Sequence, residues 1–360
     1  MLKRLSISGL AVLTALVCHA QIKDFTIPYP RAIGHGTDTV NVLVIGDVMM
    51  HSRQLEFDCR QFLEGISPAL LEADIAVANM EFSLGGRPYS GYPAFSAPDS
   101  YAEYVAKDCG IDVFLTANNH ILDRGRQGLT RTLAVYDTLG ISHTGAASDS
   151  LRLESSYPLM TVSHGIRLAL VNFTYGTNNP AGNGSSWPKV SLMRQDDIRK
   201  AIRKARDKGA DFIIALPHWG TEYSLIHNRE QGEWAEWLVS EGADVIVGAH
   251  PHVVQDTTHI KGTAVIYSLG NAISNMSARN TRLGLAVRLR FTHDPASGEK
   301  NMLEPELQFI WCTLPGTLTD GYKTIFCDEW LGRRTEWQNP ADYDNMISTL
   351  ARVKQATGIN

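Results

Sequence analysis

Beyond its first twenty residues the sequence has no apolar run near the roughly 20 residues that a membrane-spanning helix needs, which argues against an integral helical membrane protein. It also lacks a basic excess. Its 33 Lys and Arg against 38 Asp and Glu give a formal net charge of -5, with no surplus to neutralise a phosphate backbone, so nucleic acid is not an expected partner. Cysteine is scarce: the five residues fall in no CxxC spacing, and a zinc ribbon is not supported. There is no internal repeat and no linker to split the chain. What is present, 44% apolar and 20% charged residues over 360 positions, suffices for one large α/β core or two small ones, and one domain is the economical reading.

The chain opens MLKRLSISGLAVLTALVCHA, with Lys3 and Arg4 ahead of an apolar stretch from Leu10 to Val17 and the small Ala20 before Gln21. That is the pattern of a secretory signal peptide over residues 1–20, which makes the protein an expected secreted or periplasmic one. A lipid anchor through Cys18 is the lesser alternative, because Val17 is branched where such sites carry Gly, Ala or Ser. Cys59, Cys109, Cys312 and Cys327 remain, and four cysteines permit three pairings. Cys312 with Cys327 closes the shortest plausible loop; buried free thiols are the equal alternative.

Apolar, β-branched runs alternate with amphipathic stretches, as strand and helix alternate in an α/β fold. VNVLVIGDV, DIAVANME, IDVFLTANNH, DFIIALPHWG and DVIVGAHPHVV read as strands covered on both faces. Helices are expected over Ala102–Cys109, Gln127–Leu139, Met193–Lys208 and Glu230–Glu241, with Gly110, Gly140, Gly209 and Gly242 just past their ends. The runs 159–173 and 253–270 each hold two strand-like pieces around a Gly turn, so antiparallel hairpins join the parallel ones and the sheets are mixed. LGLAVRLRF and LEPELQFIWCTL are further strands, and a last helix is expected near Pro340 to Gln355. The Gly, Asn, Pro and Ser-rich stretch 175–188 reads as a long surface loop, and RKAIRKARDK as a solvated helix face.

Polar residues gather where these buried strands end. Asp47 (with His51 nearby), Asn79 and Glu81, Asn118, Asn119 and His120 (then Asp123), His218, and His250 with His252 all fall there. Ligands of open α/β sheets collect at such carboxyl ends. An Asp, a Glu, an amide oxygen and three imidazoles suit borderline divalent ions such as Zn, Mn or Fe, and can hold two. Alone, an Asp after a strand is more often a helix cap. His51 has nothing to fix its direction and reads slightly better as a core or solvated imidazole. His250 and His252 either share one strand face or are aimed by a tight turn at Pro251. Asn118 suits turn chemistry, and Asp123 either caps the following helix or orients His120. Trp219, Glu222 and Tyr223 line a cleft or simply pack. Asn271 suits a backbone turn as well as a site wall and stays outside the ligand set.

In order along the chain, GDVMMH, ANMEFSL, TANNHILDRG, LPHWGTEY, VGAHPHVVQ and IYSLGN resemble the signatures of CapA-type proteins of poly-γ-glutamate capsule synthesis, over about Asn41 to Asn271. That family is related to calcineurin-like metallophosphoesterases. The resemblance implies a layered α-β-β-α fold with mixed sheets. It also implies a CapA-like domain over 21–337 followed by a helical tail over 338–360. It further implies metal ligation by Asp47, Glu81 as the bridging carboxylate, Asn119, His218, His250 and His252. His120 becomes the general acid and Asp123 its partner. The implied activity is hydrolysis or transfer on a surface polymer or phosphoester by metal-activated hydroxide, alongside capsule-synthesis membrane components. A non-catalytic role in capsule assembly and a secreted phosphodiesterase are the alternatives. The sequence departs from ordinary phosphoesterases at the opening DxH, here GDVMMH, and at GDxxD, here NMEFS.

Overall fold

The computed structural model describes residues 38–179 and 186–359. The signal-peptide reading, Cys18 and the middle of the 175–188 loop lie outside those residues. Two mixed sheets face each other. The larger runs Lys323–Phe326, Glu306–Thr313, Leu283–His293, Asp38–Val48, Ile75–Met80, Val113–Leu115, Ser142–Thr144, with Asn271–Ile273 also pairing with Asp38–Val48. The smaller runs Thr257–Ile260, Thr263–Ile266, Val245–Val247, Phe212–His218, Ile166–Thr174, Leu159–Ser163. Both expected hairpins are antiparallel pairs, Ser163 opposite Ile166 and Ile260 opposite Thr263.

Successive strand residues point to opposite faces, and the cores follow that alternation. Val42 and Val44 join Leu168, Leu170, Ile214 and Leu216 between the sheets. Leu43 and Ile45 face outward, against Leu70, Tyr101, Val105 and Tyr136 on the helices Ser67–Glu72, Asp99–Lys107 and Gly125–Leu139. Ala169, Val171, Ile213 and Ala215 meet Ile198, Ile202 and Leu238 on Gln195–Asp207 and Arg229–Glu241. The fold is therefore a layered α-β-β-α arrangement. Each fully buried Val, Leu or Ile contributes roughly 1.5–3 kcal/mol.

The last helix, Pro340–Thr357, does not lie apart: Met346, Leu350 and Val353 enter the core between the sheets. Arg282 anchors it with two hydrogen bonds to Asp342, at 2.5 and 2.7 Å, while its guanidinium covers the Trp311 ring at 4.4 Å.

Cys59, Cys109, Cys312 and Cys327 are all free thiols. The Cys312–Cys327 pairing fails because Cys312 lies under the outer helices and Cys327 between the sheets, on opposite faces of one sheet. Two expected strands are also shorter than read. IDVFLTANNH is extended only over Val113–Leu115, since the Ala117 amide turns to the Asn172 side chain at 2.8 Å, and DVIVGAHPHVV only over Val245–Val247.

Candidate metal centre

The site forms where strands of both sheets end. Ile45 pairs with Ala78 and Asp47 with Asn79, so Gly46 is an extra residue bulged out of the ladder. A Cβ at Gly46 would stand 1.9 Å from the Gly270 carbonyl oxygen, an approach only glycine allows. The bulge leaves Asp47 fully buried beside Asn79.

Amides then fix the carboxylate. Asn118 donates to Asn79 Oδ1 at 3.2 Å and to the Met80 carbonyl at 2.9 Å, and Asn79 Nδ2 donates to Asp47 Oδ1 at 2.7 Å. Asn271 Nδ2 donates to the Thr281 carbonyl, which turns Asn271 Oδ1 to His252 Nδ1 at 2.9 Å. That contact makes Nδ1 the protonated nitrogen of His252 and leaves Nε2 free, 3.7 Å from Glu81 Oε1. His218 Nε2 stands 2.9 Å from Asn119 Oδ1 and 3.6 Å from Glu81 Oε1.

His250 and His252 come from a turn rather than a strand face, with φ of 100° and 58°. Such left-handed backbone is uncommon outside glycine and is held here by its surroundings. The Tyr223 amide, itself at φ 67°, donates to the Pro251 carbonyl at 2.9 Å and ties the neighbouring turn to it.

Two donor groups result, Glu81 with His218 and His250, and Asp47 with Glu81 and His252; within each, ligand atoms lie within 4.8 Å of one another. Glu81 belongs to both. A third group joins His250 and His252 to the exposed Glu222. Asp47 Oδ2, both Glu81 oxygens and His250 Nδ1 are buried without a hydrogen bond. Leaving such atoms unpartnered costs about 1–3 kcal/mol each, and although Asp47 Oδ2 keeps an ionic contact with His252 Nδ1 at 3.2 Å, the group marks a place built for something else. Carboxylates and imidazoles in this number fit divalent cations.

Burial, then the Asp47 carboxylate, hold the Glu81 carboxyl well above its ordinary range. Burial and the neighbouring imidazoles keep His218 well below its usual value and push His250 down to about 3. A neutral imidazole is the form that ligates metal. Burial also acts to lower His252, but Asp47 at 3.2 Å and Asn271 outweigh it and the net shift is upward.

His120 stands beside this cluster, its Nδ1 2.7 Å from Asp123 Oδ2. The same Asp123 oxygen accepts the Phe95 amide at 2.9 Å, and the Phe95 ring meets His120 edge-on at 4.8 Å. A cavity of about 550 Å³ opens over them, lined by Tyr92, Pro93, Asn119, His120, Asp123, Asn178, Asn179 and Glu222.

Asp47, Glu81, Asn119, His120, Asp123, His218, His250 and His252 thus converge. His51 does not join them: its Nδ1 lies 3.2 Å from the Asn275 amide, its ring packs on Phe95, and burial pushes it down to about 4. Trp219 is core, donating to the Tyr267 carbonyl at 2.9 Å. Sequence reasoning kept Asn271 outside the ligand set, although its place at a strand end after Gly270 was a signal, and left Glu222 open between cleft lining and packing. Tyr175, 4.7 Å from the His250 ring, gave no signal of its own.

The model of the family described as bacterial capsule synthesis protein PGA_cap matches residues 41–276. The capsule biosynthesis protein CapA of Bacillus anthracis is 28% identical over 258 residues, 68% of this chain and 62% of that protein. The PGA biosynthesis protein CapA of Bacillus subtilis is 27% identical over 268 residues, 70% and 68% of the two chains. The chain thus spans less than two thirds of the first of these. Among solved structures, a putative 5'-nucleotidase from Staphylococcus aureus aligns at TM-score 0.49 and 14% identity, over 75% of this chain and 54% of that one. A phosphatase from Mycoplasma pneumoniae aligns at 0.47 and 14%, over 76% and 94%. By the extent of the family match, this chain belongs to the bacterial capsule synthesis protein family PGA_cap.

Proposed function

We propose that the chain is a metal-dependent hydrolase or transferase of the extracytoplasmic space, acting in the biosynthesis of a capsule or other surface polymer. The observation that carries this reading is the pair of donor groups sharing Glu81, whose two buried oxygens have no hydrogen-bond partner. The set fits two divalent ions, Mn, Zn or Fe, held by Asp47, Glu81, Asn119, His218, His250 and His252. When bound, such ions polarise a scissile group and make water acidic enough to ionise near neutral pH.

The protein's own residues supply the rest. Asn79 and Asn118 hold Asp47 in one orientation, and Asn271 selects the His252 tautomer that turns Nε2 to Glu81. Asp123 holds His120 by Nδ1, which leaves Nε2 to pass its proton to the leaving group. The left-handed backbone at His250 and His252 keeps both rings in place without reorganisation.

The capsule role is supported by family membership and by the names of the Bacillus relatives. A Mycobacterium tuberculosis protein called a probable polyglutamine synthesis accessory protein, 29% identical over 199 residues, adds to it. The opening twenty residues support export, and capsule-synthesis membrane components are the proposed partners. No helix among the described residues is long and apolar enough to cross a membrane.

Metal stoichiometry by mass spectrometry tests the reading on the wild type and on a triple variant, Asp47→Ala, His218→Ala and His250→Ala. Two ions per wild-type chain and none in the variant is the expected result. No metal in either overturns the hydrolase and leaves the assembly role.

A further inference from the structure

The cavity over His120 carries an electrostatic signature of its own. Its eight lining residues include two carboxylates, Asp123 and Glu222, and neither Lys nor Arg. Arg124 and Arg126, which follow Asp123 in the sequence, are turned elsewhere: Arg124 donates to the Pro88 carbonyl at 3.0 Å and Arg126 to the Pro188 carbonyl at 3.3 Å. Asp123 is committed to His120 and the Phe95 amide, whereas Glu222 is exposed at the mouth.

Three exposed tyrosines border the site, Tyr92, which lines the cavity, at 73%, and Tyr175 and Tyr223, beside the neighbouring imidazoles, at 49% and 45%. Each leans on a different imidazole of the site. Tyr92 lies 6.4 Å from the His120 ring, Tyr175 4.7 Å from His250 and Tyr223 6.4 Å from His252. The bond from the Tyr223 amide to Pro251 holds Glu222 and Tyr223 at this spot. Exposed tyrosine faces beside an acid, with no Lys or Arg among the lining residues, are the composition that recognises a cation: the ring quadrupole attracts it and the carboxylate neutralises it.

We infer that Glu222, with the surrounding tyrosines, recognises an ammonium or other amine-bearing portion of the substrate on the leaving-group side of the metal centre. The inference rests on the proposed hydrolase, because it assigns the half of the substrate that departs past His120. It makes Glu222 a specificity residue rather than a metal ligand, although its oxygen lies within reach of His250 and His252. An anionic leaving portion would meet the exposed Glu222 at the mouth, where no Lys or Arg among the lining residues offsets it. An amine meets both an aromatic wall and a counter-charge.

The test compares benzylamine with benzyl alcohol, matched in shape and differing in charge, by calorimetry on the full chain with and without Mn. Wild type is expected to bind the amine at least about tenfold more tightly, and Glu222→Gln to erase that advantage while keeping the wild-type metal content. Equal binding of amine and alcohol overturns the inference, as does an advantage that persists in Glu222→Gln. Loss of a metal ion in Glu222→Gln also overturns it, since Glu222 is then a ligand. Failure of the hydrolase reading shows separately, as absence of metal from wild type, and the amine comparison on the metal-free chain still decides what the cavity recognises.

Discussion

Replacing Glu81 by Gln is expected to move stability in opposite directions with and without metal. In the metal-free protein Asp47 and Glu81 are fully buried with ligand oxygens within 4.8 Å. At that separation and an effective dielectric near 20, their mutual repulsion is about 3.5 kcal/mol when both are ionised. Gln keeps the shape and removes the charge, but its buried amide is left unpartnered at a cost of about 1–3 kcal/mol. The metal-free variant is therefore expected to equal the wild type or exceed it by up to about 2 kcal/mol above neutral pH. With metal at about a hundred times its dissociation constant, each bound ion adds about 2.7 kcal/mol to the wild type, and the variant, lacking the shared donor, forfeits most of that. Urea unfolding followed by circular dichroism, in chelator and then in saturating Mn, reads both terms. The reasoning fails if the metal-free variant is less stable than wild type by more than about 2 kcal/mol, because Glu81 would then be holding the fold through bonds. It fails equally if the variant keeps the full stabilisation by metal.

Asp342→Ala strands the Arg282 guanidinium in a largely buried place and is expected to cost about 3–5 kcal/mol by denaturant unfolding; a loss under about 1 kcal/mol would show that apolar contacts alone dock the last helix. Burial pushes the Asp112 carboxyl up from 3.8 to about 6, against the pull of its bond to the Ala76 amide. Because the folded value is the higher one, its contribution is present in full below about pH 3.8 and is lost as pH rises through 6, about 3 kcal/mol in all. Asp112→Asn should flatten that segment of the stability profile between pH 4 and 7, and an unchanged slope would refute the assignment. His120→Ala is expected to lower turnover by about 10²–10⁴ with metal content intact, and Asp123→Asn to act in the same direction; loss of metal in either would place the pair among the ligands.

Much of the fold was readable because both sheets are covered on both faces. Continuous apolar runs such as NVLVIG and FIIAL can be little else, and the residues that end them must be tolerated at a rim. Those rims gave the polar cluster, and the resemblance to CapA-type proteins singled out the eight residues that the structure brings together. Strand lengths did not, since the TANNH and GAHPH segments leave their ladders to satisfy the site, bonding to Asn172 and turning through positive φ. The expected helix start at Ala102 lies three residues late, because Pro98 presets the extended N-cap from which the Asp99–Lys107 helix begins. Asn271 was undecided for a different reason. Its part depends on the chain crossing from Thr263–Ile266 of the smaller sheet so that Asn271–Ile273 pairs with Asp38–Val48 of the larger, a contact between distant segments that no local pattern encodes. Cys312 and Cys327 looked bridgeable by spacing, and only the alternation of strand faces separates them.

The Asp38–Val48 strand, first among the described residues and central in the larger sheet, pairs Asp38 with His293 and Ile45 with Ala286. A nascent chain therefore emerges with its central strand open on one side until most of the polypeptide has been made. Contacts so distant in sequence are the slow kind to form, since loop closure must come before they can reward it. The delay leaves the larger sheet without its central ladder until Leu283–His293 has been made, so the two halves of that sheet close late and together.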